Sequence, residues 1–336
     1  MSDDDELRGR VLNIQRMSTE DGPGLRTTVF LKGCSLACSW CHNPESIPNG
    51  PQATWHPLRC IGCRECADRC PEAAISYTAD GVRIDRERCV GCGSCAEECP
   101  GAALEVLGQP WSVDDLAQEL ARDRAYFEAS DGGVSISGGE PMLQPRFVAG
   151  LLDRCRGLGL HVALDTSGQC GKAPLLDLAR RANLLLYDLK AIDDVEHQRF
   201  TGHSNRRILD NLLALRDQLA ASVHPPELWI RTPLIPGATA TEDNLRGIGR
   251  FLLDHELCAR VTRWELCAFN NLCREQYRRL GRTWDFDEVE LMSEGELERC
   301  AEWARSSGVD PAIVVPSGAT RSEEGLGDAP QAATVT

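Results

Sequence analysis

The chain has 336 residues, enough for one large domain or two to three smaller ones, with 36 basic and 51 acidic residues and a formal net charge of −15. Such an acidic chain is a poor candidate for binding nucleic acid, which requires a basic surface. No apolar run approaches the ~20 residues that span a bilayer, and the polar start is not a secretory signal. We therefore expect a cytoplasmic protein without nucleic-acid or membrane partners.

The predicted elements alternate between strands and helices. Six short apolar runs are expected as strands, at residues 26–31, 133–137, 161–164, 184–187, 228–231 and 261–266. Amphipathic runs are expected as helices at residues 112–128, 144–157, 174–181, 205–221, 241–255 and 294–306, the first with Ser112 as its N-cap. Helical crossovers imply a parallel sheet, and six units fall short of the eight of a closed barrel. The sequence therefore predicts an α/β fold, a partial (β/α)6 barrel over residues 11–45 and 110–316.

Residues 46–109 have a different texture, rich in Cys, Pro and Gly, and they repeat internally. Segment 59–71 aligns with segment 88–100 at an offset of 29 residues, with the same Cys, Gly and Pro positions. Such a repeat marks a duplicated module, inserted here into the barrel. The acidic residues 1–10 and the Gly-, Ala-, Ser- and Thr-rich residues 317–336 are expected to be disordered.

The chain holds 17 cysteines, and eleven of them lie between residues 34 and 99. Clustered cysteines in a long cytosolic chain more often bind metal than form disulfides. The first group has the spacing Cys34-x3-Cys38-x2-Cys41. Three thiolates on one loop can bind three irons of a [4Fe–4S] cluster and leave the fourth iron open for chemistry. The alternatives are a zinc site with His42 as fourth ligand, or cysteines packed without metal.

This loop, preceded by Asp-Gly-Pro-Gly-Leu-Arg at 21–26 and continued by Cys-His-Asn-Pro at 41–44, resembles the radical S-adenosylmethionine (SAM) superfamily. Within it the chain looks like the activating enzymes of glycyl radical enzymes, from about Val11 to Ile313. The resemblance implies that Cys34, Cys38 and Cys41 hold a catalytic cluster whose open iron binds SAM. It also implies reductive cleavage of SAM to a 5′-deoxyadenosyl radical, which abstracts a hydrogen from a glycine of a partner glycyl radical enzyme.

The motif Gly138-Gly139-Glu140 follows the second predicted strand. In parallel α/β folds, ligands bind at the carboxyl ends of the strands. The resemblance implies that this motif contacts SAM, with the Glu140 carboxylate facing the amino group and the glycines allowing close approach. The plainer reading is an ordinary turn.

Other implied site residues follow later strands. Asp188 and Lys190 match positions that contact SAM, and Asn270 stands where some relatives place a His that touches the SAM ribose. Asp165 and Thr166 match positions that hold a monovalent cation in some relatives. Read without the resemblance, Asp165 is a turn or N-cap residue, and Asp188 and Lys190 form a local ion pair.

The two repeated groups match the bacterial ferredoxin pattern, in which the fourth cysteine of each group binds the other cluster. We therefore expect a ferredoxin-like insert with two further [4Fe–4S] clusters, three in all. The ligands would be Cys60, Cys63, Cys66 and Cys99 for one, and Cys89, Cys92, Cys95 and Cys70 for the other. The alternative is zinc. The insert would relay electrons from a flavodoxin or ferredoxin, or shape the partner surface.

Two other functions compete with activation of a protein partner. One is a radical SAM enzyme that acts on a small molecule, and the other is an electron-transfer protein that uses the barrel as a scaffold. The Asp-Gly-Pro-Gly element at 21–24 argues against the first, and the open-iron loop together with Gly138-Gly139-Glu140 argues against the second.

Overall fold

The computed structural model describes residues 7–321, and the disorder expected for residues 1–6 and 322–336 lies outside that range. The strands are β1 (Arg8–Ser18), β2 (Arg26–Leu31), β3 (Gln52–Trp55), β4 (Ile75–Thr78), β5 (Gly81–Ile84), β6 (Leu104–Leu107), β7 (Gln109–Ser112), β8 (Gly133–Gly138), β9 (Val162–Thr166), β10 (Leu184–Asp188), β11 (Glu227–Leu234), β12 (Val261–Ala268) and β13 (Val314–Ser317). The helices are α1 (Glu65–Asp68), α2 (Ser94–Glu97), α3 (Val113–Ala121), α4 (Arg124–Ser130), α5 (Pro145–Gly157), α6 (Lys172–Ala179), α7 (Asp194–Thr201), α8 (Arg206–Ala221), α9 (Glu242–Asp254), α10 (Arg274–Arg279) and α11 (Glu294–Arg305).

The main sheet has nine strands in the order β13-β12-β11-β10-β9-β8-β2-β1-β7. The six predicted strands are β2 and β8 to β12, which lie side by side and pair in parallel, as expected. They are recognisable because nearly every residue is buried, which gives continuous apolar runs. The two edge strands β13 and β7 do not meet, so the sheet is open, as a partial barrel requires.

Three strands of this sheet were not predicted. β13 adds a seventh parallel strand beside β12, while β1 pairs antiparallel with β2 and β7 antiparallel with β1. β1 begins at Arg8, so residues 8–10 belong to the sheet and not to the disordered start expected over 1–10. Ser317 is the last residue of β13 and Arg321 forms a β-bridge with Ser293, so these two residues belong to the fold and not to the disordered tail expected over 317–336. β1 carries mixed polar side chains and two register irregularities, which hide its period in the sequence.

The helices cover the sheet with one apolar face each. In α9 the buried Leu245, Ile248 and Leu252 recur at helical spacing, and the Thr241 side chain accepts the N–H of Asn244 as an N-cap. Ser112 caps α3 as expected, but the single helix predicted over 112–128 is two, because the chain turns at residues 122–123. The short helices α7 and α10 were not predicted. No helix within residues 7–321 is long and apolar enough to cross a bilayer.

Residues 46–109 form a separate small layer with two pairs of strands. β3 pairs with β6, and β4 pairs with β5, both antiparallel. The four-residue helices α1 and α2 contact each other, and a small apolar core joins Ala53, Ile75 and Leu104. The chain leaves the main sheet after β2 and returns to it at β7, so this layer is an insertion in the barrel sequence.

Candidate active site and cysteine-lined cavities

The loop that carries the first three cysteines leaves β2 at the carboxyl edge of the sheet. Backbone hydrogen bonds hold it from both sides. The N–H of Cys34 donates to the carbonyl of Ile47 at 3.1 Å, and those of Ala37 and Ser39 donate to carbonyls at the end of α7 at 3.0 and 2.9 Å. These neighbours therefore fix the shape of the loop. A loop that binds a ligand through three side chains needs such support, because the three side chains must be held in place.

Cys34, Cys38 and Cys41 are all half-buried. Burial raises the pKa of each, that of Cys34 to about 12, while the Lys190 ammonium opposes the rise. Thiols in such surroundings ionise when a metal group binds them, and three of them on one loop suit an iron–sulfur cluster. The choice between an iron–sulfur cluster and a zinc site with His42 therefore rests on the cysteine spacing.

The Gly138-Gly139 pair packs directly against the start of the cysteine loop. The N–H of Gly139 donates to the carbonyl of Leu31 at 2.9 Å, and the N–H of Glu140 donates to that of Gly33 at 2.7 Å. A Cβ at Gly139 would lie 2.0 Å from the Gly33 carbonyl oxygen, and Gly138 adopts φ +114°. Close contact between the two loops thus requires glycine at these positions. This requirement holds whether or not a cofactor approaches them.

Glu140 is completely buried, and both its carboxylate oxygens accept hydrogen bonds from protein groups. Oε1 accepts the Thr166 hydroxyl at 2.7 Å and the Met142 N–H at 3.2 Å. Oε2 accepts the Ser167 N–H at 3.0 Å and its hydroxyl at 2.5 Å. Burial raises the pKa of Glu140, and these hydrogen bonds oppose that rise. The carboxylate therefore ties the glycine motif to the end of β9, and its expected contact with the amino group of SAM stays a prediction.

Asp165 and Thr166 end β9, and neighbouring residues in a strand face opposite sides. Asp165 accepts the Ser137 hydroxyl at 2.6 Å, while Thr166 donates to Glu140. Burial, followed by the negative charge of Asp188, raises the pKa of Asp165 to about 7. The two side chains thus have different hydrogen-bond partners, and the cation site stays a prediction.

Asp188 and Lys190 form an ion pair of 2.5 Å, the local pairing that their sequence spacing also allowed. Burial alone would lower the pKa of Lys190, but Asp188 and then Cys38 outweigh it and hold the pKa above its ordinary value. The ammonium therefore lies beside the cysteine loop and stays charged. Asn270 lies on the other flank of this loop, with its amide nitrogen 3.5 Å from Nδ1 of His42. The structure thus brings Asp188, Lys190 and Asn270, three of the six expected SAM contacts, close to the cysteine loop.

Sequence reasoning missed Arg231, which joins three strands at this edge. Its guanidinium lies 3.0 Å from the Glu265 carboxylate, 3.6 Å from that of Asp165, and donates to the Glu20 carbonyl at 3.0 Å. Burial would lower the pKa of Arg231, but the surrounding negative groups hold it well above its ordinary value. The sequence offered one signal for this residue: Arg231 is a charged residue at the end of the apolar strand predicted over 228–231.

The insert contains two cavities, each lined by four cysteines drawn from both repeats. One small cavity is lined by Cys60, Cys63, Cys66 and Cys99, together with Trp55 and Tyr77. A second small cavity is lined by Cys70, Cys89, Cys92 and Cys95. Thiol sulfur is the donor that iron–sulfur clusters use, and each cavity carries the number of thiols that one cluster requires.

The two repeats also share their backbone. Residues with positive φ recur at the same offset of 29, at Gly62 and Gly91 (+73° and +67°) and at Ala73 and Ala102 (+45° and +46°). The fourth cysteine of each repeat accepts a backbone N–H on its sulfur, Cys70 from Ala74 at 3.3 Å and Cys99 from Ala103 at 3.2 Å. The module is therefore duplicated in structure as well as in sequence.

Comparison with known proteins gives four findings. The model of the radical SAM superfamily matches residues 28–245. The chain is 38% identical over 304 residues to the trans-4-hydroxy-L-proline dehydratase activating enzyme of Clostridioides difficile, covering 90% of this chain and 98% of that protein. It is 36% identical over 321 residues to the indoleacetate decarboxylase activating enzyme of Tractidigestivibacter scatoligenes, covering 92% and 98%. A radical SAM methyltransferase from Sphaerobacter thermophilus shares the fold alone, with a TM-score of 0.51 and 15% identity over 91% of this chain and 77% of that one.

Proposed function

Because this chain belongs to the radical SAM superfamily and, within it, to the activating enzymes of glycyl radical enzymes, we propose roles for the residues that its structure brings together. When bound, the cluster and SAM supply one-electron reductive cleavage to a 5′-deoxyadenosyl radical, which takes a hydrogen from a glycine of the partner enzyme. Cys34, Cys38 and Cys41 hold the catalytic cluster on the loop after β2.

Lys190, Asp188 and Asn270 surround the bound SAM in this proposal. The Lys190 ammonium suits the carboxylate of the cofactor and the Asp188 carboxylate suits its amino group, because charge-assisted hydrogen bonds join groups of opposite sign, and the Asn270 amide adds an uncharged donor and acceptor. Lys190 stays protonated beside the cysteine loop, as the pKa rise caused by Asp188 and Cys38 requires. Asp165 and Arg231 keep the neighbouring strand ends aligned, with their carboxylate and guanidinium 3.6 Å apart.

Residues 46–109 form, in this proposal, a ferredoxin-like domain with two further [4Fe–4S] clusters. The single observation that carries it is the composition of the two cavities. Each is lined by three cysteines of one repeat and the fourth cysteine of the other. That crossed arrangement is the one bacterial two-cluster ferredoxins use.

The protein partner is a glycyl radical enzyme, and we propose a flavodoxin or ferredoxin as the electron donor. The relatives named above activate a hydroxyproline dehydratase and an indoleacetate decarboxylase, respectively. The identities of 38% and 36% place this chain in their family without selecting either partner. We also propose the cytoplasm as its compartment, because reduced thiols persist there.

The test combines iron content with SAM cleavage after anaerobic reconstitution. Three clusters predict about 12 irons per chain. Changing Cys34, Cys38 and Cys41 together to Ala should remove about four irons and abolish formation of 5′-deoxyadenosine. A matched triple variant replaces cysteines outside the three groups, at Cys155, Cys258 and Cys300.

The matched variant should keep both the iron and the cleavage activity. A fully active wild-type protein with a stable content near eight irons would remove one cluster from the proposal. Mixing reduced enzyme, SAM and a glycyl radical enzyme should produce a doublet radical signal on that protein. A radical that forms instead on a small metabolite would favour the small-molecule alternative.

A further inference from the structure

The surface of the insert beside the cavity of Cys60, Cys63, Cys66 and Cys99 exposes apolar side chains. Leu58 is fully exposed and Ile61 is 70% exposed, and Cys63 itself reaches the surface. Large apolar residues grouped on a surface mark contact sites more often than scattered single ones do. We call the exposed segment 57–64 the rim.

The rim is also the more basic of the two repeat surfaces. Segment 59–71 carries three arginines against two acidic residues, whereas segment 88–100 carries one arginine against two glutamates. Arg59 and Arg64 are exposed in the rim, and Gly93 stands where the second repeat would place Arg64. This local positive charge contrasts with the net charge of −15 of the whole chain.

Arg64 occupies a backbone conformation that disfavours it. Its φ is +69°, and the equivalent Gly93 has φ +96°, so the second repeat uses the residue suited to that conformation. The Arg64 guanidinium lies 5.3 Å from the centre of the Tyr77 ring, whose hydroxyl is 3.3 Å from the Cys66 sulfur. A strained residue that places a charge beside a cysteine-lined cavity points to a function for that charge.

We propose that the rim is the docking site of a small acidic protein that carries one electron at a time. The inference rests on the proposed function, because it requires a cluster in the adjacent cavity. In the step itself the carrier is oxidised by one electron and that cluster is reduced by one electron, with no proton transferred and no bond made. The carrier would meet Leu58 and Ile61 at the centre of the contact and Arg59 and Arg64 at its edge.

Electrostatics select an acidic carrier for this place. A protein with a net charge of −15 repels an acidic partner over most of its surface, so productive encounters depend on a local basic patch. Charge pairs at the edge of such a contact raise the association rate and its salt dependence, while the apolar centre supports close approach of the two redox groups.

The test removes the two rim charges without straining the chain. The double variant Arg59→Gln/Arg64→Gly gives residue 64 the glycine of the second repeat and relieves its left-handed strain. The control Arg146→Gln/Arg250→Gln removes the same net charge from exposed positions on the outer helices α5 and α9. The probe is a flavodoxin, oxidised for calorimetric measurement of Kd and as the hydroquinone for stopped-flow reduction of the clusters.

At low ionic strength we expect the Kd of the rim variant for flavodoxin to be about tenfold higher than that of wild type. We expect the rate at which flavodoxin reduces its clusters to be about tenfold lower. The control should match wild type, and the difference should shrink as salt screens the charges. Iron content and reduction by dithionite, which needs no docking, should be unchanged in both variants.

Equal losses in both variants would assign the effect to net charge and overturn the docking site, as would an unchanged Kd in the rim variant. A rim variant that loses affinity for the glycyl radical enzyme but keeps it for flavodoxin would show that the rim binds the glycyl radical enzyme. That result would also refute the proposal. Wild-type protein whose insert holds no reducible clusters would refute the proposed function and not the docking site alone. Dithionite reduction and iron analysis detect that failure independently of flavodoxin binding.

Discussion

Glu140 offers a sharp test, because a direct role toward SAM and a structural role predict different measurements. Glu140→Gln keeps the shape of the side chain but turns one of the two acceptor oxygens into an NH₂ donor. The hydroxyls of Thr166 and Ser167 can rotate and accept from that group, whereas the backbone N–H groups of Met142 and Ser167 cannot. Whichever oxygen is replaced, one buried N–H loses its acceptor.

An unsatisfied buried donor costs ~1–3 kcal/mol, which corresponds to a fall in Tm of roughly 1–4 °C in a chain of this size. We therefore expect Glu140→Gln to lower the Tm of the protein in the absence of SAM, and SAM binding to weaken along with it. The exposed Glu302→Gln on α11 serves as the control and should leave both quantities unchanged. Differential scanning fluorimetry and calorimetric titration with SAM make the two measurements. A variant with the wild-type Tm but tenfold to hundredfold weaker SAM binding would refute the structural role and restore a direct contact with SAM.

Two further predictions concern the fold around this site. Gly139→Ala should destabilise the protein by ~1–3 kcal/mol or more and disturb iron loading, because its Cβ would lie 2.0 Å from the Gly33 carbonyl oxygen. The control is Gly157→Ala in α5, whose Cβ would meet no atom within 4 Å. In thermal unfolding this control should be neutral or stabilising. Burial, and then the neighbouring Arg26, lowers the pKa of His161 to about 4. Between about pH 6.5 and about pH 4 the unfolded chain therefore binds a proton at this residue that the folded chain does not. The free energy of unfolding should fall as the pH drops through that range. His161→Gln should flatten that part of the stability–pH curve measured by urea unfolding, and an unaltered acid slope would contradict the assignment.

Local patterns in the sequence determined the family, the parallel strands and the cysteine groups. Buried parallel strands such as β8 and β10 are continuous apolar runs, so their type is readable without knowledge of their neighbours. Cysteine spacing is equally local, since ligands on one loop must sit at fixed separations to reach one cluster. The repeat at an offset of 29 residues is visible for the same reason.

Tertiary structure alone decided what depends on partners distant in sequence. β1, β7 and β13 are strands because of the neighbours they pair with, and their own residues lack a clear period. Glu140 turns inward because Thr166 and Ser167, 26 and 27 residues away, supply donors that a family motif does not reveal. Side-chain direction is set by these long-range hydrogen bonds and by burial, and a sequence records neither.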